Sequence, residues 1–453
     1  MQKRTVGLLS VSGAILVAAV SACGTSSSSS PSASSGGGGL ASCKGTISVA
    51  TDLPLTGGDA TDGPFPQRGA QLAVEQANSN HTLGGCTLNY TSKDDSSVAQ
   101  NGHDPAQGAQ NMTALAQDPS VVGVVGPFNS SVALTEIPVA SQNHLAMISP
   151  ANTNPCLTVA LAVCSDPTVN IPTNSLYKGP HTYFRVIATD NDQSQILAYI
   201  ATKVVNATKA YVIDDQQAYG HGLAVLFAKY YQADGGTVVG NASLPSNTKT
   251  FATQMSDAQS KGAQLIFFGG TSGDGCGLVR RDMGAAGLNL PILGGDGCQD
   301  EKFITDANSG SKTTQAEGSQ ATSAPDVTKL SSSTAFYAAY AQRFASDPKP
   351  YNDAKNEPYS PYGYDAMNIL IQAIKTALTS NGGQPPSDST KFRDAVVSAL
   401  RNTAWDGALG HTTFDSNGDT TNTGFTLYKV ASGAWTGVNT YAVDTSGKVS
   451  VKS

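Results

Sequence analysis

The sequence predicts an α/β protein built as two tandem lobes, each a parallel sheet flanked by helices. Three observations carry this reading. Short apolar runs alternate with amphipathic stretches from residue 46 onward, the alternation restarts near residue 183, and runs such as LIFF within 263–268 (AQLIFF) are continuously apolar, as strands buried on both faces require. At 453 residues the chain is long enough for two or three domains. Charged residues make up 13%, about half the usual share of roughly a quarter. The 39% hydrophobic content, with 13 Phe, 16 Tyr and 2 Trp, is enough to build real cores. A net charge of −7 with no basic cluster argues against a nucleic-acid partner.

The first lobe reads in order. Residues 46–50 (TISVA) form a buried strand, 66–78 a helix with Ala70, Ala73, Val74 and Ala77 on one face, and 86–91 a second strand. A helix over 104–117 opens on Asp104-Pro105, a cap and first-turn pair. A strand at 121–125, a helix at 131–143 and a strand at 145–149 complete the β-α-β-α-β-α-β pattern of a wrapped parallel sheet.

The second lobe repeats it. Strands are expected at 183–187, 210–214, 237–243, 263–268 and 291–293, with helices at 192–205, 222–233, 251–261 and 277–286 between them. The remainder is mixed: helices at 331–345, 366–378 and 391–402, then strand-like 412–414 and 424–430. Residues 308–323 read as a polar, exposed connection. This tail is too small and mixed for an independent α/β domain, so it is expected to complete the two lobes, with the chain crossing between them more than once.

The N-terminus reads as an address. Met1-Gln2-Lys3-Arg4 is a basic start, and residues 6–20 carry no charge, which suits a signal peptide and falls short of the roughly 20 residues of a spanning helix. Val20-Ser21-Ala22-Cys23 resembles a bacterial lipobox, which implies a signal over 1–22 cut before Cys23 and lipid on its thiol. Residues 24–39 are almost entirely Ser, Gly, Ala and Pro, a composition that cannot offset its ordering entropy and reads as a flexible tether. The other reading is an ordinary secretory signal that happens to contain a Cys.

Six cysteines remain: Cys43, Cys86, Cys156, Cys164, Cys276 and Cys298. An even count in an exported chain points to disulfides, but six allow 15 pairings. The strand reading chooses among them. Cys43 and Cys86 each enter a strand, Cys276 and Cys298 each lie just past one, and Cys156 and Cys164 flank a short apolar loop. The expected pairs are therefore 43–86, 156–164 and 276–298, against the alternative that some are free buried thiols.

Seven short motifs in order resemble the type I periplasmic-binding-protein superfamily, and within it the branched-chain amino-acid (Leu/Ile/Val) substrate-binding proteins of ABC importers. They are Pro54-Leu55-Thr56-Gly57, Gln67-Arg68-Gly69-Ala70, the turn from Val124 to Ser131, Ile148-Ser149-Pro150-Ala151-Asn152-Thr153-Asn154-Pro155, Gln217-Ala218-Tyr219-Gly220-His221-Gly222, Tyr364-Asp365-Ala366 and Phe414-Asp415-Ser416-Asn417-Gly418-Asp419. Each is weak alone; their order is specific. The resemblance implies two Rossmann-like lobes joined by a three-strand hinge, with ligand in the cleft outside the carboxyl ends of the strands. The expected divisions are a signal over 1–22, a lipidated tether over 23–43, lobe 1 over 44–187 plus about 325–427, and lobe 2 over 188–324 plus about 428–453.

The resemblance also places a site. Asn129-Ser130-Ser131 follows a strand and opens a helix, where free N–H groups and a hydroxyl suit a carboxylate; Ser130 as a plain N-cap is the simpler reading, and both can hold. Ala151-Asn152-Thr153 would offer backbone groups and the Thr153 hydroxyl to an amino acid's carboxylate and amine, or be only a loop turn set by Pro150 and Pro155. Tyr219 would press on the ligand as the cleft closes, unless it is core. Asp296 stands where the family places an acid against the ligand's ammonium, although a turn Asp among glycines is common. Phe128, Tyr359 and Tyr362 would supply walls. The chain departs from the family at Asp62, often near an aromatic there, and at Thr271, often Tyr. With Asn129 and Asn152 these make the pocket more polar than one built for leucine.

No enzyme motif is found: GxSxG, a Walker A sequence and HExxH are all missing. Asp415-x-Asn417-x-Asp419 starts like an EF-hand loop but has Thr420 where Gly is required and Thr426 where Glu is required, so it reads as a β-turn. The expectation is therefore a non-enzymatic, monomeric, lipid-anchored extracytoplasmic receptor with no cofactor or metal. It would take an amino acid, branched-chain or a related small polar molecule, into the cleft by hinge closure and hand it to an ABC permease. The alternative is a ligand-sensing module that signals without transport.

Overall fold

The computed structural model describes residues 40–310 and 314–452; the signal segment, Cys23 and most of the tether lie outside the described residues. The first sheet has five parallel strands in the order Cys86–Asp94, Gly45–Leu53, Val121–Val125, Ala146–Ser149, Tyr183–Arg185. The second runs from Thr237–Ser243 through Lys209–Asp214, Leu265–Gly269 and Ile292–Gly294 to Gln320–Ser323, all parallel, and then adds Gly424–Ala431, Ala434–Val443 and Val449–Lys452 antiparallel at its edge. The fold is thus two α/β lobes of the type I periplasmic-binding kind. The chain crosses between them three times, after Tyr183–Arg185, after Gln320–Ser323 and before Gly424–Ala431.

Burial follows the apolar pattern. The strands Val121–Val125 and Leu265–Gly269 are buried at every position, each covered by helices on both faces. In the first lobe the long helix Ser360–Ser380 packs along Pro64–Ser79 with Leu370 seated over Gly123. The two helix backbones meet: a Cβ on Gly69 would stand 2.2 Å from the Ser360 carbonyl oxygen, and one on Gly363 would stand 2.1 Å from that of Pro66. Glycine at both crossing points is therefore a steric requirement. In the second lobe Phe227 stacks on Phe267 with ring centroids 3.8 Å apart and on Tyr231 at 5.3 Å, pinning the helix Ala218–Ala233 to the sheet.

All three expected disulfides form: Cys43–Cys86, Cys156–Cys164 and Cys276–Cys298. Two sequence expectations are corrected, one strand is extended into a hairpin and one helix is new. The connection expected over 308–323 ends in a central strand, Gln320–Ser323, with Ala321, Thr322 and Ser323 fully buried; polar residues belong there because the Gln193 side chain donates to the Thr322 hydroxyl at 3.1 Å. The helix expected over 192–205 is α-helical only over Asp190–Tyr199 and widens into a π turn over Ile200–Val204. Residues 412–414 are part of a hairpin, Ala404–Gly407 with Gly410–Thr413. A helix at Glu301–Asn308, capped by the Asp300 carboxylate on the Phe303 N–H at 2.7 Å, was not anticipated.

Candidate functional site

The carboxyl ends of both sheets face one another, and the loops there meet. Asn154 of the first lobe donates its side-chain amide to the Ala218 carbonyl of the second at 2.6 Å. The Thr61 hydroxyl reaches the Asp300 carboxylate at 3.4 Å. Tyr359, at the entrance to the helix Ser360–Ser380, donates to Asp296 Oδ2 at 2.8 Å across the same divide. The lobes are therefore closed on one another.

Asp296 is the centre of this contact. It follows the strand Ile292–Gly294 in the turn closed by the Cys276–Cys298 bridge. The Tyr219 hydroxyl donates to its Oδ1 at 2.8 Å and itself accepts the Gly297 N–H at 3.1 Å. Burial raises the Asp296 carboxyl above the usual range, while hydrogen bonds from Gln193, Tyr219 and Tyr359 hold it back. Two phenols and, among the described residues, no cation thus face a partly desolvated carboxylate. Phe128 packs edge-on against Tyr359, centroids 5.2 Å apart, and Tyr362 follows at 5.6 Å, so one wall is aromatic.

The opposite wall is the start of the helix Ser130–Gln142. Ser130 is buried, and its hydroxyl accepts the Asn154 N–H at 3.4 Å. Asn129, the N-cap residue, makes no side-chain cap, and its Oδ1 and the Ser131 hydroxyl are buried without a hydrogen-bond partner. Asn152 is committed to the protein at both ends: its amide donates to the Phe128 carbonyl at 2.6 Å and its Oδ1 accepts the Tyr183 hydroxyl at 2.8 Å. It braces the loop, and does not add the open polar group expected of it. Ala151 and Asn152 also give their N–H groups to Ser149 Oγ. Thr153 is buried beside Asp190, whose carboxyl is raised by burial first and by the Asp296 charge next.

Asp62 and Thr271 occupy the rim. The Thr271 hydroxyl closes a turn with Asp274, donating to its carboxylate at 2.9 Å. Asp62 is half-buried; its carboxyl is raised well above the usual range by burial and by Asp300, Glu357, Asp59 and Asp296 around it. The Asp300 carboxylate caps the helix Glu301–Asn308, and that of Glu357 accepts the Tyr359 N–H at 2.7 Å. The cleft is therefore acidic beyond Asp296 alone. Its closed core is distinct from two cavities nearby: one of about 530 Å3 lies at the three crossovers against Ile187, Pro325 and Asn422, and one of about 410 Å3 lies outside the loops at Asn101, Gln217 and Gly273.

Two groups that the sequence reading did not single out hold this site in place. Arg185 is fully buried in the last strand of the first sheet. Its Nε donates to Asp419 Oδ1 at 2.6 Å, its Nη1 to the carbonyls of Asn152 at 3.0 Å and Asn154 at 2.8 Å, and its Nη2 to the Thr158 hydroxyl at 2.5 Å. Asp419 ends the Phe414–Asp419 motif, whose Asp415 carboxylate closes the β-turn by accepting the N–H groups of Asn417 and Asp419. Asp59 accepts both the His103 ring Nδ1 and its backbone N–H at 2.8 Å, fastening two loops at the cleft rim. A charged residue inside an apolar strand, as in Tyr183-Phe184-Arg185-Val186, is the signal that marks Arg185.

A family model described as periplasmic binding protein matches residues 46–434. The Leu/Ile/Val-binding protein BraC3 of Rhizobium johnstonii is 27% identical over 395 residues, covering 85% of this chain and 92% of its own. The leucine-, isoleucine-, valine-, threonine-, and alanine-binding protein of Pseudomonas aeruginosa is 26% identical over 385 residues, covering 85% and 90%. Among solved structures, the leucine binding protein LivK of Thermotoga maritima superimposes with a TM-score of 0.70 at 24% identity, covering 87% of this chain and 98% of that one. A solute binding protein of R. palustris in complex with benzoate gives 0.67 at 18% identity, covering 87% and 96%.

Proposed function

The chain belongs to the periplasmic binding protein family, and from that premise we propose that it is an extracytoplasmic receptor that captures a small amino acid between its lobes and delivers it to an ABC permease. The observation that carries the reading is the Asp296 carboxylate, half-buried at the lobe interface and held by one tyrosine from each lobe. A primary ammonium is the partner such a group lacks, because a desolvated carboxylate is costly until a cation reaches it. Opposite, the N-terminus of the helix Ser130–Gln142, with the hydroxyls of Ser130 and Ser131 able to donate, suits negative charge. Thr153 and Tyr219 would flank the ligand between these poles.

In this reading ligand draws the lobes together. The Tyr359–Asp296 and Asn154–Ala218 contacts form only when they meet, so a solute that completes the cleft shifts the population from open to closed. Asp62 sets the side-chain end of the cleft. With a carboxylate there, the preferred cargo is an amino acid bearing a donor or a positive charge in its side chain. The receptor acts as a monomer, held at the membrane by lipid on Cys23.

Thermal unfolding of the purified, ligand-free protein against amino acids tests this. The panel spans leucine, isoleucine and valine, amides, and lysine, ornithine and arginine. A ligand at 100 times its Kd adds roughly 2.7 kcal/mol. A shift with donor-bearing side chains and a weaker one with leucine is the expected result, and Asp62→Leu should reverse the order. Silence across the panel refutes amino-acid capture.

A further inference from the structure

Beneath the cleft, in the first lobe, three carboxylates converge where no reading of the ligand site needs them. Asp52 lies near the end of the strand Gly45–Leu53, Asp95 directly follows Cys86–Asp94, and Glu136 comes from the second turn of the helix Ser130–Gln142. All three are 0% exposed. One ligating oxygen from each lies within 4.8 Å of the others. Of their six oxygens, one, Asp52 Oδ1, accepts the Asn111 amide at 2.9 Å; the other five find no donor outside the trio. Helix Pro105–Gln117 holds Glu136 inward, since a Cβ on Gly108 would meet Glu136 Oε1 at 2.9 Å.

We propose that Asp52, Asp95 and Glu136 bind one divalent cation, and that Ca2+ is the ion that fits. The donors are all oxygen, which selects a hard ion over zinc or copper. Ligands around one Ca2+ at roughly 2.3–2.6 Å stand at most about 5 Å apart, the spacing seen here. Fully buried carboxylates that can each bind through two oxygens supply a calcium shell from protein alone, whereas Mg2+ usually retains several waters. Five orphaned oxygens at zero exposure are the second mark of a ligand, because buried acceptors are otherwise satisfied. The charged neighbours add no counter-ion in contact: Lys93 and Asp94 act on Asp52 from a distance, and His103 and Asp59 on Asp95. The cation would clamp the helix Ser130–Gln142 to two strand ends, six residues from the Ser130 turn that faces the ligand.

The test is metal content and thermal unfolding of the whole purified protein, after exhaustive EDTA treatment and after return of CaCl2. One equivalent of Ca2+ per chain is expected. Ca2+ at 100 times its Kd should shift the folding equilibrium about a hundredfold, seen as a higher Tm. Glu136→Gln and Asp95→Asn should each abolish the metal response while unfolding no earlier than the metal-free wild type, since each removes one buried like charge. A Tm indifferent to Ca2+, Mg2+ and Mn2+, with no ion bound, overturns the proposal and leaves the three acids sharing protons. So does a calcium response retained in both variants.

Discussion

Replacing Asp419 by Asn isolates the charge that Arg185 depends on. The substitution keeps the shape of the side chain but withdraws the anion from a guanidinium with no solvent contact. Arg185 retains the carbonyls of Asn152 and Asn154 and the Thr158 hydroxyl, so it stays hydrogen-bonded on three of its four contacts. Breaking a buried pair by removing one partner costs about 3–5 kcal/mol, and the surviving bonds place this one near the lower end, about 3 kcal/mol. The Thr158 hydroxyl also loses its charged acceptor at 2.8 Å, worth about 1.5 kcal/mol at most if the Asn carbonyl fails to replace it. The control is Glu75→Gln, which breaks the Glu75–Arg343 pair on the surface, both partners well exposed, at under about 1 kcal/mol. Urea denaturation of the two variants beside wild type gives the comparison, and ligand titration of Asp419→Asn should show weakened binding, because Arg185 holds the loop carrying Thr153. Equal midpoints for the two variants would refute the argument that burial makes the Arg185 pair different in kind.

Three further outcomes follow from the same geometry. Asp296→Ala and Ser130→Ala should each weaken amino-acid binding by about a hundredfold or more with the fold intact, as read by calorimetry and circular dichroism; unchanged affinity in both would sink the site. The Asp59–His103 pair should make stability depend on pH. Burial would lift Asp59, yet His103 holds it below the usual carboxylate range; burial would depress His103, yet Asp59 raises it to about 10. The Asp59 contribution is lost as pH falls through its lowered pKa, and the His103 contribution is complete below about pH 6.5 and is lost as pH rises toward 10, so the stability gap between wild type and His103→Gln should peak near pH 5–6 and shrink by pH 10. Replacing Cys276 and Cys298 together by Ser opens a 22-residue loop and should cost about 3 kcal/mol, with loss of affinity because Asp296 sits in that turn; stability equal to wild type under oxidising conditions would contradict it.

The fold was legible wherever burial and apolarity coincide. Runs such as Val121–Val125 and Leu265–Gly269 can be nothing but sheet interior, and Cys43 and Cys86 could be paired from the strands they enter, Gly45–Leu53 and Cys86–Asp94. It was illegible where polar residues are buried or apolar ones exposed. Gln320–Ser323 looks like a loop because its partners, Gln193 among them, come from far away in the chain. The edge strands Ala434–Val443 and Val449–Lys452 face water along much of their length and lack a hydrophobic signature. In the site, short motifs pointed to Ser130, Tyr219 and Asp296. The role of Tyr359 as second donor to Asp296, and the bracing of Asn152 by Tyr183, depend on contacts between segments more than thirty residues apart, and sequence periodicity does not register those.

The first lobe is assembled from the two ends of the chain. On one face of the first sheet the helix Pro64–Ser79 covers Gly45–Leu53 and Cys86–Asp94, whereas Val121–Val125 and Ala146–Ser149 are covered by Ser360–Ser380 and Ser389–Leu400, and the second sheet up to Gln320–Ser323 is synthesised in between. A chain emerging from its N-terminus therefore holds five strands with part of one apolar face uncovered until its last hundred residues arrive. The second lobe has its first five strands and their helices contiguous in sequence and can settle earlier. Contacts of such long range form slowly and leave sticky surface exposed meanwhile. Completion of the first lobe's core therefore waits on segments made late in the chain.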